Sequence, residues 1–352
     1  MNYALKIISL LFFSFLIACT QKTEKPRQNE KNFELAKEVP IQEIKLKGEI
    51  AECYSEISSM AWHGDDLILM PQFPHKFSNE NDGILWKINI NRIEAYLNGT
   101  DTTAITAGEI KFSAKGLDEF GKSKGSGYEG ITFAGNKVYM TIEGVESSLT
   151  MGFLLKGEYK KEENIVIMDQ NSVVSINSQT GICNFAEETI LAVNENVLTI
   201  HEANGANLNK NPVVNEYNFT DGSLNKILFP NIEFKINDAT MIDENNNFWV
   251  INYHYYGDTD IMELAEDKIG KKYGIGKTHS NSERLERLVE LNYSKEKITI
   301  TQNPSIQLEL DKDPKVSRNW EGIVRYKDKG FLIVTDYYPG TIFAFVPYSK
   351  SD

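Results

Sequence analysis

Cysteine and histidine are scarce, 3 and 5 in 352 residues, which argues against a zinc module. Basic residues are also in deficit. With 37 Lys and Arg against 50 Asp and Glu, and a formal charge of −13, the chain lacks the cationic surface that releases counterions from nucleic acid. Acidic partners are disfavoured for the same reason and cations are welcome. After the first 18 residues no apolar run approaches the roughly 20 residues that span a bilayer. A hydrophobic share of 41% with 24 Gly and 10 Pro excludes disorder, collagen and coiled coil, and the length allows one large or two ordinary domains. What is plentiful is aromatic and β-branched: 11% aromatics, with many Asn, Thr, Ile and Tyr, lean the chain towards strands.

The N-terminus reads as a targeting segment. Met1 to Lys6 carries one basic charge, and the apolar run Ile7 to Ala18 is too short to span, so it is an export signal and not an anchor helix. It ends in Leu16-Ile17-Ala18-Cys19, which resembles the bacterial lipobox. That resemblance implies cleavage after residue 18, acylation (palmitate) of Cys19, and a cell-envelope lipoprotein held on the periplasmic or surface side by its N-terminal lipid alone. The alternative is an ordinary signal peptide with an incidental cysteine. Residues 20–32 are rich in Lys, Glu, Gln and Asn, so 19–39 reads as a flexible tether to a domain over 40–349. Cys53 and Cys183 remain, either unpaired or joined in a disulfide-permissive compartment.

An internal repeat sets the fold class. Its clearest copy runs from Glu129 to Glu143: an acid, a short strand, a Gly135-Asn136 turn that needs positive φ, a second strand and a closing polar residue. Glu188 to Glu202, Asp238 to Asn252, Glu321 to Asp336 and, with one residue inserted, Glu56 to Gln72 repeat the frame at intervals of 50 to 83 residues. One or two further strand-like runs follow each copy. This spacing predicts an all-β chain, a β-propeller of five or six blades in one domain, closed by an N-terminal strand near Ile44 to Ile50. A sixth, degenerate blade has room in 101–127 or 157–183.

In a propeller the first strand of each blade lines the central channel, so Glu56, Glu129, Glu188, Asp238 and Glu321 are expected to aim five carboxylates at one axis. Like charges in one channel raise each other's pKa or demand a cation. A hard ion such as Ca²⁺ takes such oxygens, and Gln72, Asn204 and Asn252 are nearby amide candidates. The competing reading is separate structural hydrogen bonds, one per blade.

Starts such as Glu129-Gly130-Ile131 and Glu321-Gly322-Ile323 resemble those of six-bladed calcium-dependent propellers: phytase-like esterases, gluconolactonases and strictosidine-synthase-like proteins. The resemblance spans most of residues 50–347. It implies a channel-bound Ca²⁺ that polarises an ester, lactone or phosphate oxygen while a nearby acid or His handles protons. Five copies instead of six is a departure, and no ligand transfers one to one.

Other candidates lie where the copies end. His201 and Glu202 alternate, so one of the two faces the channel; His254 opens the insertion 253–284; Arg318 and Trp320 precede Glu321. With Gln72, Glu143, Asn204 and Asn252 they would suit a small polyhydroxylated or glycan ligand. Three lookalikes carry no chemistry. Gly121-Lys122-Ser123-Lys124-Gly125 lacks the strand and helix of a nucleophile elbow. Asp243 to Asn247 is a hairpin turn and not an EF-hand loop. Gly270 to Lys277 reads as a flexible basic loop with no helix. Two functions follow: a metal-dependent hydrolase of ester, lactone or phosphoester bonds, or a non-catalytic propeller that binds a ligand or protein.

Overall fold

The computed structural model describes residues 36–78, 82–117, 127–146 and 149–348; the expected signal, Cys19, most of the tether and the Gly121 to Gly125 segment lie outside them. Local chemistry first makes hairpins. Each inner strand turns into its partner through a positive-φ residue: Gly64, Gly135, Asn194, Asn246 and Lys327. In the fourth hairpin the Asp243 carboxylate also accepts from Asn245 N and Asn247 N, at 2.9 and 2.8 Å, which makes the Asp243 to Asn247 segment a turn.

Among the described residues five antiparallel units follow one another, with inner strands Ile57–His63, Gly127–Ala134, Glu187–Val193, Lys235–Ala239 and Trp320–Tyr326. Each inner strand contacts the next, and the fifth contacts the first, so they close a ring. Alternation along the strands sends neighbouring residues to opposite interfaces. Phe248 and Val250 pack on the third unit through Leu198 and Ile200, whereas Trp249 and Ile251 pack on the fifth through Ile323 and Ile333. Comparable clusters fill the other interfaces: Met70 against Met140, Tyr139 against Ile190, and Val334 against Met60. The chain is a β-propeller. The segments where a sixth blade had room instead supply outer strands: Gly108–Ser113 to the first unit, and Ile165–Met168 to the second.

Glycine after the acid has a steric cause. A Cβ on Gly130 would stand 2.8 Å from the Glu188 backbone oxygen of the next inner strand, and one on Gly322 would meet Met60 Cγ at 3.1 Å. The narrow ring therefore requires glycine at both positions.

Two expectations are corrected. Closure comes earlier than Ile44 to Ile50: Gln42 and Glu43 pair with Phe345 and Ala344 of the fifth unit, Ile44 N donates to Phe343 O, and Lys37 to Val39 pair in parallel with Ile306 to Leu308 of the fourth. The Gly270 to Lys277 segment is not all loop. Lys268–Tyr273 is a helix whose N-cap Asp267 accepts from Ile269 N and is held by both Arg287 nitrogens, while Ile269 and Tyr273 are buried. Tertiary packing outweighs the glycine. Cys53 and Cys183 are free and exposed, and among the described residues no helix is long and apolar enough to cross a membrane.

Candidate active site

A β-bulge interrupts the pairing near the start of every inner strand, so two residues oppose one. The extra residue has no partner in the ladder, which re-aims its side chain. In the second, third and fifth units that residue is Glu129, Glu188 and Glu321, as the repeat frame requires. In the fourth, Asn237 and Asp238 fall between the paired Ile236 and Ala239. In the first it is Ser58 and not Glu56, because Ile57 pairs with Pro71 and Ser59 with Met70. Glu56 sits two residues upstream with φ 45°, its carboxylate 3.0 Å from Lys76 Nζ. The frame therefore holds four acids and a serine.

Asp238 is used structurally. Its Oδ2 accepts from Ile323 N at 3.0 Å and from Ser59 Oγ at 3.3 Å, and Ser59 Oγ in turn accepts from Ile131 N at 3.2 Å. This chain ties the fourth, fifth, first and second units across the ring. Burial pushes the Asp238 pKa well above the usual carboxylate range, against these donors.

The other acids gather at one end. Burial raises Glu129 to about 7, against a hydrogen bond from Gln72 Nε2 at 2.9 Å and with the added charges of Asp336, Glu202 and Glu56. Burial, then Glu129 and Glu202, raises Glu143 to about 9. Glu188 and Glu321 keep some solvent contact, yet the surrounding protein excludes enough water to raise both well above 4.5, reinforced by the charges of Glu129 and Glu202 beside each. Asp336, the closing residue of the fifth copy, is raised by burial to about 6 and joins the group. One cation answers them from within: Lys235 Nζ lies 2.9 Å from Glu202 Oε1 and 3.3 Å from Asp258 Oδ2. Burial opposes the Lys235 charge, but these two carboxylates outweigh it and raise its pKa. Burial also raises Glu202, with Lys235 opposing.

Of the alternating pair, Glu202 faces this group and His201 does not. His201 is fully buried, with Nε2 3.2 Å from Ser178 Oγ and Nδ1 against the Ala203 backbone, and burial lowers it to about 4. Asn204 is buried and donates to His201 O; Asn252 donates to Glu233 O and Lys235 O and accepts from Arg287. Arg318 and Trp320 are both held by buried Glu286, at 2.8 and 2.7 Å. Asn204, Asn252, Arg318 and Trp320 thus act as structural ties. His254, also lowered to about 4 by burial, lines a cavity of about 390 Å³ with Phe234, Tyr256 and Asp260. A separate cavity of about 730 Å³ lies by the hairpin turns, with Lys137, Tyr139, Lys156 and Phe219, and includes none of these acids. Lys235 and Asp336 are the site residues that the sequence reading missed; Asp336 had a signal, being the polar end of the fifth copy.

The Ca²⁺ that the resemblance implies can be tested against the residues. Glu143 Oε2, Glu202 Oε2 and Asp336 Oδ1 are buried oxygens without a partner, the right donor chemistry for a hard ion. Among the described residues, however, no three His, Cys, Asp or Glu side chains are placed to hold one metal ion. The arrangement does not form a cation cage, and no step below runs through a metal.

No family model matches the chain, and no curated protein matches it. Among solved structures it is similar to the soluble aldose sugar dehydrogenase of Escherichia coli, with TM-score 0.45 and 9% identity over 88% of this chain and 100% of that one. It is also similar to a glycosyl hydrolase from Bacteroides ovatus, with TM-score 0.43 and 10% identity over 90% and 95% of the two chains. An exo-β-1,3-galactanase from Phanerochaete chrysosporium gives 0.46 and 8% over 89% of this chain and 64% of that one.

Proposed function

We propose that the chain is a hydrolase of the cell envelope, lipid-tethered at Cys19, that cleaves ester or lactone bonds by acid–base catalysis at the acid end of its channel. The observation that carries this is a set of carboxyl groups whose environments divide them between proton-bearing and ionised forms around a single lysine. Glu143, at about 9, holds its proton at neutral pH and has a free oxygen, Oε2. Glu202 is paired with Lys235 at 2.9 Å, which favours its ionised form. Water adds to the acyl carbon as its proton passes to Glu202, and Glu143 protonates the departing oxygen. A phosphoester would bring negative charge into an already acidic site, so neutral esters and lactones suit it better.

The test is turnover of a panel of nitrophenyl esters and sugar lactones. Glu143→Gln and Glu202→Gln should each lower kcat by about 10²- to 10⁴-fold, the usual contribution of a general acid or base. Wild-type protein inert towards the whole panel would overturn the proposal and leave a ligand-binding propeller.

A further inference from the structure

Five tyrosines stand out among the exposed large hydrophobic side chains: Tyr54, Tyr255, Tyr256, Tyr337 and Tyr338, each 38 to 53% exposed. Each lies within three residues of Glu56, Asp258 or Asp336 in the sequence. Tyr54 is two residues before Glu56; Tyr255 and Tyr256 lie between the inner hairpin of the fourth unit and Asp258; Tyr337 follows Asp336, whose carboxylate accepts a backbone hydrogen bond from it. The Tyr255 and Tyr256 ring centroids are 4.5 Å apart, and the Tyr255 pKa is raised first by its hydrogen bond with Tyr256 and more weakly by the charges of Asp258 and Tyr338, which lie within electrostatic reach. Single exposed apolar side chains are ordinary, but a cluster around one concave site marks a binding surface. Tyrosine is also the apolar side chain that keeps a polar end.

The cavity of about 390 Å³ adjoins this rim through Tyr256 and falls within the usual size of small-molecule sites. His254 in its wall is 3% exposed, and its Nδ1 has no partner. Thr259 Oγ1 donates its one proton to Tyr256 O at 2.8 Å, so towards His254 Nε2, at 3.1 Å, it can only accept. The proton of the neutral ring is thereby assigned to Nε2, leaving Nδ1 an acceptor suited to a hydroxyl donor.

We propose that the tyrosine-rimmed acid end binds a neutral carbohydrate, with tyrosine rings against the C–H faces of sugar units and the carboxyl groups and His254 receiving their hydroxyls. Uronic acids and phosphorylated sugars are repelled by the acids beneath. The inference rests on the hydrolase reading only in making this carbohydrate the carrier of the bond that is cleaved.

Affinity electrophoresis tests it, with the protein run through native gels containing galactan, xylan, a β-glucan or polygalacturonate. At least one neutral polysaccharide should retard the wild type, and polygalacturonate should not. The paired changes Tyr255→Ala with Tyr256→Ala, and Tyr337→Ala with Tyr338→Ala, should each weaken retardation at least tenfold, whereas Leu228→Ala, an exposed position on the outer strand of the third unit, should keep it. No retardation by any neutral polysaccharide, retardation undiminished in both tyrosine variants, or a preference for polygalacturonate would each overturn the inference. Retardation without turnover removes the hydrolase reading and leaves this one standing; turnover of simple esters without retardation does the reverse.

Discussion

Lys235 and Glu202 form an ion pair of 2.9 Å, with side chains 16% and 6% exposed, inside a group of carboxyls, and Lys76 pairs with Glu56 at its margin. Removing one member of a buried pair typically costs about 3–5 kcal/mol, because the other charge is left behind. Glu202 can escape that cost by taking a proton. Lys235→Met should therefore lose several kcal/mol at pH 8 and much less at pH 5, read from urea unfolding at both. An equal loss at the two pH values would show that the lysine acts by packing and not by charge.

The buried acids set the pH dependence of stability. Glu129, Glu143 and Glu187 stand at about 7, 9 and 7 against an ordinary 4.5, mainly through burial. Between those values the folded chain holds more protons than the unfolded one, so their contribution is complete below pH 4.5 and is lost as pH rises through 7 and then 9. His201 and His254, lowered by burial to about 4, act oppositely: their contribution is complete above pH 6.5 and lost as pH falls through 4. Tm should fall from pH 6.5 to pH 9. Glu143→Gln, which needs no proton, should flatten the fall above pH 7. A Tm that rises over this range would contradict the assignment.

Asp238 separates a structural acid from the reactive ones. Asp238→Ala leaves the Ile323 N–H without its acceptor inside the ring, a loss of about 1–3 kcal/mol. Asp238→Asn keeps an acceptor oxygen and should lose less. Chemical denaturation measures both, and kcat of the folded fraction should be the same in the Asp238→Asn variant as in the wild type.

Glu56 and Glu129 test the register. The Glu56 to Lys76 pair is partly exposed and worth at most about 1 kcal/mol, so Glu56→Gln should barely move stability. Glu129→Gln should raise Tm above neutral pH, where the native carboxyl is forced to ionise. Parallel melts at pH 6 and pH 9 distinguish the two, and equal responses would restore Glu56 to the frame.

Metal addition is the simplest of these checks. With no three ligands placed around one point among the described residues, Tm in excess EDTA should match Tm in millimolar Ca²⁺. A rise of several degrees with Ca²⁺ would show the carboxyls closing on an ion.

Much of the ring was legible in the sequence. Alternation and turn residues marked the hairpins, and the recurring acid marked the channel end. The frame slipped at Glu56 because it is the nearest acid before the first strand and fits only with one residue inserted at the turn, while the distance back from the turn, five residues from Ala134 to Glu129 and from His63 to Ser58, was the better guide. His201, Arg318 and Trp320 misled for another reason. Their partners Ser178 and Glu286 lie 23, 32 and 34 residues away, and a side chain already held by a distant neighbour looks identical, in sequence, to one that is free. Lys235 went unnoticed because its meaning depends on Glu202, a residue of the preceding unit.

The bulges carry a consequence for how such a protein can change. A residue that the ladder does not pair is free of backbone pairing, so where its side chain does not tie neighbouring units, as that of Asp238 does, it can be exchanged; glutamate, serine and aspartate already occupy that position in different units. The ring thus offers a set of addressable slots, in which the chemistry at the channel end can be rewritten while the architecture that presents it is inherited intact.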